Sequence, residues 1–299
     1  MFKNRKKILA GLAVSGSFLL GGLFLAPTTF AANSNVNVQV NVNQQSGINW
    51  GMGNNAGIVA TGFAPKDERG MALSREAAIM AAQRDLVGIV QGVQIDSETT
   101  MRDLIIQSDV VNRKITGTLR GYKIIEEGST DDGGYYVKIT IPMYGAGGLA
   151  DAIVPEIKFD TPQDFETVDT STMNQNDVQA IQSIKYTGVV ILTSGLGLEP
   201  TFSPVIYDTN GRAIYGIKNL QPDKVIDKGM VSYSNSVEDN ITIDRAGTNP
   251  LVINAVEVRG GKNSANKVNA VVSVEDADKI LLANENTGML ENCAVVFVK

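Results

Sequence analysis

The sequence predicts an α+β protein, built as two small α/β-sandwich-like domains whose mostly antiparallel sheets are each covered by one or two helices. Three observations carry this expectation. β-Branched and aromatic runs recur between turn residues, at 122–141 and again at 205–215. A run rich in alanine, residues 74–90, has its apolar side chains at helical spacing. A proline-flanked acidic stretch, residues 151–185, separates two segments that are each long enough for a core. The expected organisation is therefore a signal peptide (1–31), an Asn/Gly-rich tether (32–57), a first domain (58–150), a connector (151–185) and a second domain (186–299).

At the amino terminus, Lys3, Arg5, Lys6 and Lys7 precede an apolar stretch from Ile8 to Ala26, and small residues at Thr29 and Ala31 follow Pro27. This order predicts export with cleavage after Ala31. A membrane anchor is the alternative, but Gly11, Gly21, Gly22, Ser15 and Ser17 dilute the stretch and no charged flank stops it. Cleavage would leave 22 basic against 32 acidic residues, a balance of −10. That sign argues against nucleic acid and against docking on anionic lipid through bulk charge. No integral span is expected after processing.

In the tether, Val36, Val38, Val40 and Val42 alternate with Asn37, Gln39, Asn41 and Asn43. Alternation at period two is a strand signal, here with an uncharged polar face. Two readings stand: a spacer, or an assembly strand added to a sheet edge of this chain or another.

The first domain opens with a strand at 58–63 and a helix capped by Ser74, whose apolar face runs through Ala77, Ala78, Ala81, Ala82, Leu86, Ile89 and Val90. A strand at 93–99 and a helical segment around 101–111 follow. Residues 122–126 and 135–141 form a hairpin across Asp131, Asp132, Gly133 and Gly134. In this order, with the run "SREAAIMAAQRDLVGIVQGV" and the hairpin "ITGTLRGYKIIEEGSTDDGGYYVKITIPMYG", the chain resembles the LPP20 lipoprotein family and the related amino-terminal domain of the flagellar assembly protein T. Gly92, Gly121, Tyr122, Tyr136 and Val137 carry the resemblance. It implies an envelope protein with links to the flagellum or outer membrane and no catalytic residues. The lipidated cysteine of the lipoprotein members is missing.

The connector is expected to hold one helix, at 174–185. In the second domain, 189–192 reads as a buried strand and 205–215 as a type I′ hairpin around Asn210 and Gly211. Residues 251–258 and 267–272 read as strands, Ser273 as the cap of a helix to Ala283, and 295–298 as the strand that closes the sheet.

Composition narrows the chemistry. The chain has no histidine and one cysteine, Cys293, set in an apolar run. Imidazole bases, Ser-His and Cys-His pairs and ordinary zinc sites are thereby removed, and no cofactor or metal site is expected. The loop "TSGLGLEP", with Gly195 and Gly197, lacks the following helix that a phosphate site needs. Asp208 and Asn210 have calcium-loop spacing without the closing glutamate. Asp223, Asp227, Glu238, Asp239 and Asp244 could furnish a glycosidase pair, but spacing selects none of them. Arg245 and Asn249, in "RAGTNP", are the candidate binding loop: a guanidinium fork for a carboxylate of a peptide or wall polymer, or else an internal ion pair pinning a turn. The reading is a non-catalytic envelope protein that binds an envelope protein or cell-wall polymer, or self-associates. Its alternative is a histidine-free hydrolase of wall glycan or peptide using paired carboxylates.

Overall fold

A computed structural model of the chain describes residues 46–157, 162–261 and 264–299, all within one compact unit. The valine ladder, Val36 to Val42, and the expected cleavage point lie outside the described residues.

The first region begins with β1 (Gly47–Asn49), β2 (Gly57–Ala64) and the long helix α1 (Met71–Gln91). Ser74 does not cap α1. The helix starts one turn earlier, after Gly70 at φ 133°, and the Ser74 hydroxyl instead accepts the amide of Asp67 at 2.9 Å. The buried stripe is Ser74, Ala78, Ala82, Leu86 and Val90, spaced by four, while Ala77 is exposed. Its alanines allow a close approach to the sheet. A Cβ at Gly62 of β2 would stand 2.0 Å from the Ala78 carbonyl oxygen, so only glycine fits there.

The expected strand at 93–99 is a turn. Asp96 Oδ1 accepts the amides of Glu98 and Thr99, and a single bridge joins Gln94 to Thr100. Two helices follow in place of one segment: α2 (Met101–Gln107), opened by a Thr100–Asp103 capping box, and α3 (Asp109–Arg120), capped by Ser108. The hairpin β3 (Lys123–Ser129) and β4 (Tyr135–Pro142) forms as expected, with Gly133 at φ 81° in its turn. The sheet order is β1-β2-β4-β3, antiparallel throughout.

Beyond it come α4 (Leu149–Ile153) and, in the connector, α5 (Gln175–Ser183). The connector is not a bare spacer: Phe165 stacks on Tyr215 at 6.3 Å between ring centroids.

The last region contains β5 (Val189–Leu192), β6 (Ile206–Asp208), β7 (Ala213–Tyr215), α6 (Pro222–Lys228), β8 (Ser232–Ser234), α7 (Asn240–Ala246), β9 (Leu251–Asn254), β10 (Glu257–Arg259), β11 (Asn269–Val272), α8 (Val274–Thr287) and β12 (Val295–Val298). They make two sheets. One is mixed, in the order β10-β11-β6-β7. The other, β8-β12-β5-β9, is parallel at every pairing, a departure from the antiparallel expectation. The run 251–258 is thus two strands in different sheets, and β12 lies inside its sheet rather than closing it. The β6–β7 turn is not type I′, because Gly211 has φ 87° but Asn210 does not share the left-handed region that type I′ requires. Instead Asp208 Oδ1 accepts the amides of Asn210 and Arg212, each at 2.9 Å.

Most buried apolar side chains of both regions belong to one cluster, while Val190, Ala246, Val296 and Val298 form a second, smaller one in the last region. Tyr144 and Phe202 meet at 6.1 Å, Trp50 and Tyr233 at 5.7 Å, and the amides of Phe202 and Ser203 donate to the carbonyls of Gln94 and Ile95 at 2.8 Å.

Candidate binding surfaces

β2 is eight residues long and pairs along its whole length with β4, but β1 covers only Gly57 to Val59 on the other side. Among the described residues, Ala60 to Ala64 therefore present an open strand edge. The Thr61 amide is caught at 2.9 Å by the Ser46 hydroxyl, a side chain standing where a strand would offer a carbonyl. Among the described residues, the buried Thr61 hydroxyl has no hydrogen-bond partner. Next to it Phe63 is 66% exposed, with the Tyr136 ring 6.4 Å away. Tyr136 and Lys138 both donate to Glu126, at 2.9 and 2.7 Å, and these bonds hold the Glu126 carboxyl below its ordinary range. The opposite edge, β3, is protected by a bulge between Ile124 and Glu126 and by the Arg75–Glu127 ion pair at 2.8 Å.

Arg245 does not present a fork to the solvent. It lies in the last turn of α7, 5% exposed, and its donors are used internally. Nε donates to Ser232 Oγ at 2.6 Å, Nη1 to the carbonyls of Gly229 and Cys293 at 3.1 and 2.8 Å, and Nη2 to that of Lys228 at 2.5 Å. No carboxylate is among these partners, so the internal role is carbonyl gathering rather than an ion pair. Burial pushes the guanidinium down from its usual range, and likewise raises the nearby Tyr144 hydroxyl to about 12. Asn249 closes the turn, donating from Nδ2 to the Lys185 carbonyl at 3.1 Å and from its amide to Thr187 Oγ1 at 3.0 Å. Cys293 is buried, and burial raises its thiol above the usual value, as befits an inert side chain.

Of the carboxylates singled out in the sequence, Asp223 and Asp227 stand four residues apart on α6, Glu238 and Asp239 precede α7, and Asp244 lies within it. Asp223, Asp227, Glu238 and Asp244 are exposed, and Asp239 caps α7 by accepting the Ile241 amide. A different acidic cavity, of about 240 Å³, lies where the connector crosses α8; its carboxylates are Asp164, Glu166, Glu285 and Glu291. Sequence reading missed it because the connector looked like an exposed spacer. Three of these acids have partners: Glu166 is 3.8 Å from Arg212, Glu285 accepts the Val168 amide, and Glu291 accepts from Asn284 Nδ2. Arg212 is itself held by Asp208 at 2.9 Å and Asp278 at 2.6 Å. Among the described residues no group of three His, Cys, Asp or Glu could hold a metal ion, and no helix is long and apolar enough to cross a membrane. The loop with Gly195 and Gly197 leads into no helix; its far end, Thr201 to Ser203, clasps the 94–95 carbonyls instead.

Comparison with known families fits this division. Residues 68–142, from α1 through β4, match the family model described as LPP20 lipoprotein. Residues 188–299, the whole of the last region, match the model described as Treponema pallidum Tp0624, second domain. No curated protein matches the chain. The chain thus joins a region similar to the LPP20 lipoprotein family to a region similar to the second domain of Tp0624.

Proposed function

We propose that this chain is an exported, non-catalytic cell-envelope protein that acts by binding or assembly, in association with the flagellum or the outer membrane. The observation that carries this reading is the open half of the β2 edge beside exposed Phe63. An unprotected edge is a template for a further strand, whereas the opposite edge of the same sheet, β3, carries a bulge and an ion pair that block pairing. The similarity of residues 68–142 to a lipoprotein family supports an envelope setting. The charge-then-apolar order at the amino terminus supports export.

The added strand is the valine ladder. Laid on the open β2 edge of another chain, the ladder would join this protein to an envelope protein or to a second copy of itself. In analytical ultracentrifugation the mature protein should sediment as an assembly, and Val38→Pro or Val40→Lys should lower its mass without changing thermal unfolding. Equal masses for wild type and both variants would reduce the ladder to a tether.

A further inference from the structure

The helical layer carries a groove that nothing above uses. An open cavity of about 440 Å³ is lined by α1 and α3, with Ile105 of α2 beside them. Leu86, Val90 and Ile115 form its floor, with Ile105 and Leu119 as walls, and Arg120 stands at its mouth in the last turn of α3. The floor residues are at most 1% exposed, so the groove is backed by the core and does not depend on mobile surface side chains. Its remaining lining is amide, hydroxyl or Val87; no carboxylate lines it. Among the described residues no acidic group pairs with Arg120.

We propose that this groove binds a single-chain anionic amphiphile, with the alkyl tail along Leu86, Val90, Ile115 and Leu119 and the carboxylate or phosphate head on Arg120. Three features favour this occupant. The volume lies within the ordinary range of small-molecule sites, and the lining is mostly apolar with one charged group at an end. The only formal charge in the groove is positive and unspent, and a guanidinium takes a carboxylate or phosphate through paired hydrogen bonds. Residues 83–91 of α1 give the groove a length of about 12 Å, which suits an alkyl chain lying end to end but holds only two turns of a partner helix.

The test uses the purified mature chain and two probes with the same tail, dodecanoate and dodecyltrimethylammonium, each below its micelle concentration, followed by titration calorimetry. Dodecanoate should bind saturably at one site, and dodecyltrimethylammonium at least about tenfold more weakly. Arg120→Glu should weaken dodecanoate about tenfold, in keeping with the loss of a charge-assisted contact. Thr116→Trp, which fills the groove from a partly exposed position, should abolish binding while leaving the circular-dichroism spectrum unchanged. Equal binding of the two head groups, or dodecanoate binding untouched by both variants, would overturn the proposal. So would binding to phosphatidylglycerol vesicles with none to monomeric dodecanoate, which would make the helical layer a membrane-docking face instead.

Discussion

The two matched regions solve the same packing problem in opposite ways. In the first, an antiparallel sheet of four strands joins two pairs of sequence neighbours, β1-β2 and β3-β4, through the long-range β2–β4 pairing, and α1 covers one face through alanine and glycine. In the last, the parallel sheet β8-β12-β5-β9 takes its strands from distant points of the chain, and β12 is buried at every residue. A parallel strand buried on both faces has no polar side to display, so it reads as a plain apolar run. The difference also decides what a polar group may do: near the first sheet it can reach water, whereas in the last region Arg245 must be satisfied entirely by protein. Arg245→Ala should therefore produce the largest effect. It strands the carbonyls of Gly229, Cys293 and Lys228 and leaves a void, at a cost on the order of 4 kcal/mol in urea unfolding. Arg245→Lys should recover only part of this, because a single ammonium cannot reach the same fan of acceptors.

Each region also has a glycine pressed against the backbone of a packed helix, and comparing them ranks the two contacts. Alanine at Gly62 would drive its Cβ to 2.0 Å from the Ala78 carbonyl, and α1 would have to lift from the sheet. Alanine at Gly188, just before β5, would meet the Ala246 Cα and the Ala294 oxygen, both at 2.6 Å. Overpacking of this kind costs about 1–3 kcal/mol, and the closer approach puts Gly62→Ala at the upper end. Chemical denaturation of the two variants checks the order. If Gly188→Ala is the more damaging, the last region and not the helix–sheet contact is the less forgiving.

Much of the first region was legible because its signals are local. The turn Asp131 to Gly134 sits between the strands it joins, and the alanine stripe repeats every helical turn. What escaped there was the extent of the helices. Residues 101–111 gave one apolar segment, whereas Ser108 ends α2 and caps α3, whose Ile115 and Leu119 continue to Arg120 and line the groove. The Ser108 cap followed by apolar residues spaced by four was the available signal. In the last region the strands were found but not their sheets. Residues 251–258 are β-prone throughout, and only the tertiary structure shows that the chain leaves one sheet near Ala255 and joins another. Arg245 was misplaced for the same reason: its acceptors stand up to 48 residues away, beyond the reach of any local motif.

The shared core sharpens the comparison further. Limited proteolysis between Pro155 and Thr172 should nick the chain at the connector. Because Tyr144 packs against Phe202 and lies under Gly229, and backbone hydrogen bonds tie residues 94–95 to 202–203, the two fragments should co-elute on native size exclusion and part only in denaturant. Fragments that separate under native conditions would show two independently stable domains.

The smallest effect concerns acid. Carboxylates held below their ordinary range include Asp67, Asp103, Glu126 and Asp132, all in the first region. The side-chain and amide hydrogen bonds from Arg69 take Asp67 down to about 2. A depressed folded-state value means the carboxylate binds its proton more readily in the unfolded chain, whose aspartates titrate near 3.9. The stabilisation is therefore complete above about pH 4 and is lost as the pH falls toward 2. Asp67 precedes α1 and fixes the turn in which its own amide donates to Ser74, so protonation should loosen the entry to that helix. Thermal midpoints measured from pH 5 down to pH 2 should fall for the wild type, and Asp67→Asn should start lower but fall less steeply, since it has no proton left to gain. Parallel slopes for the two proteins would place the acid sensitivity elsewhere, with the connector's Asp169, lowered by the Ser171 hydroxyl and amide, the next carboxylate to change.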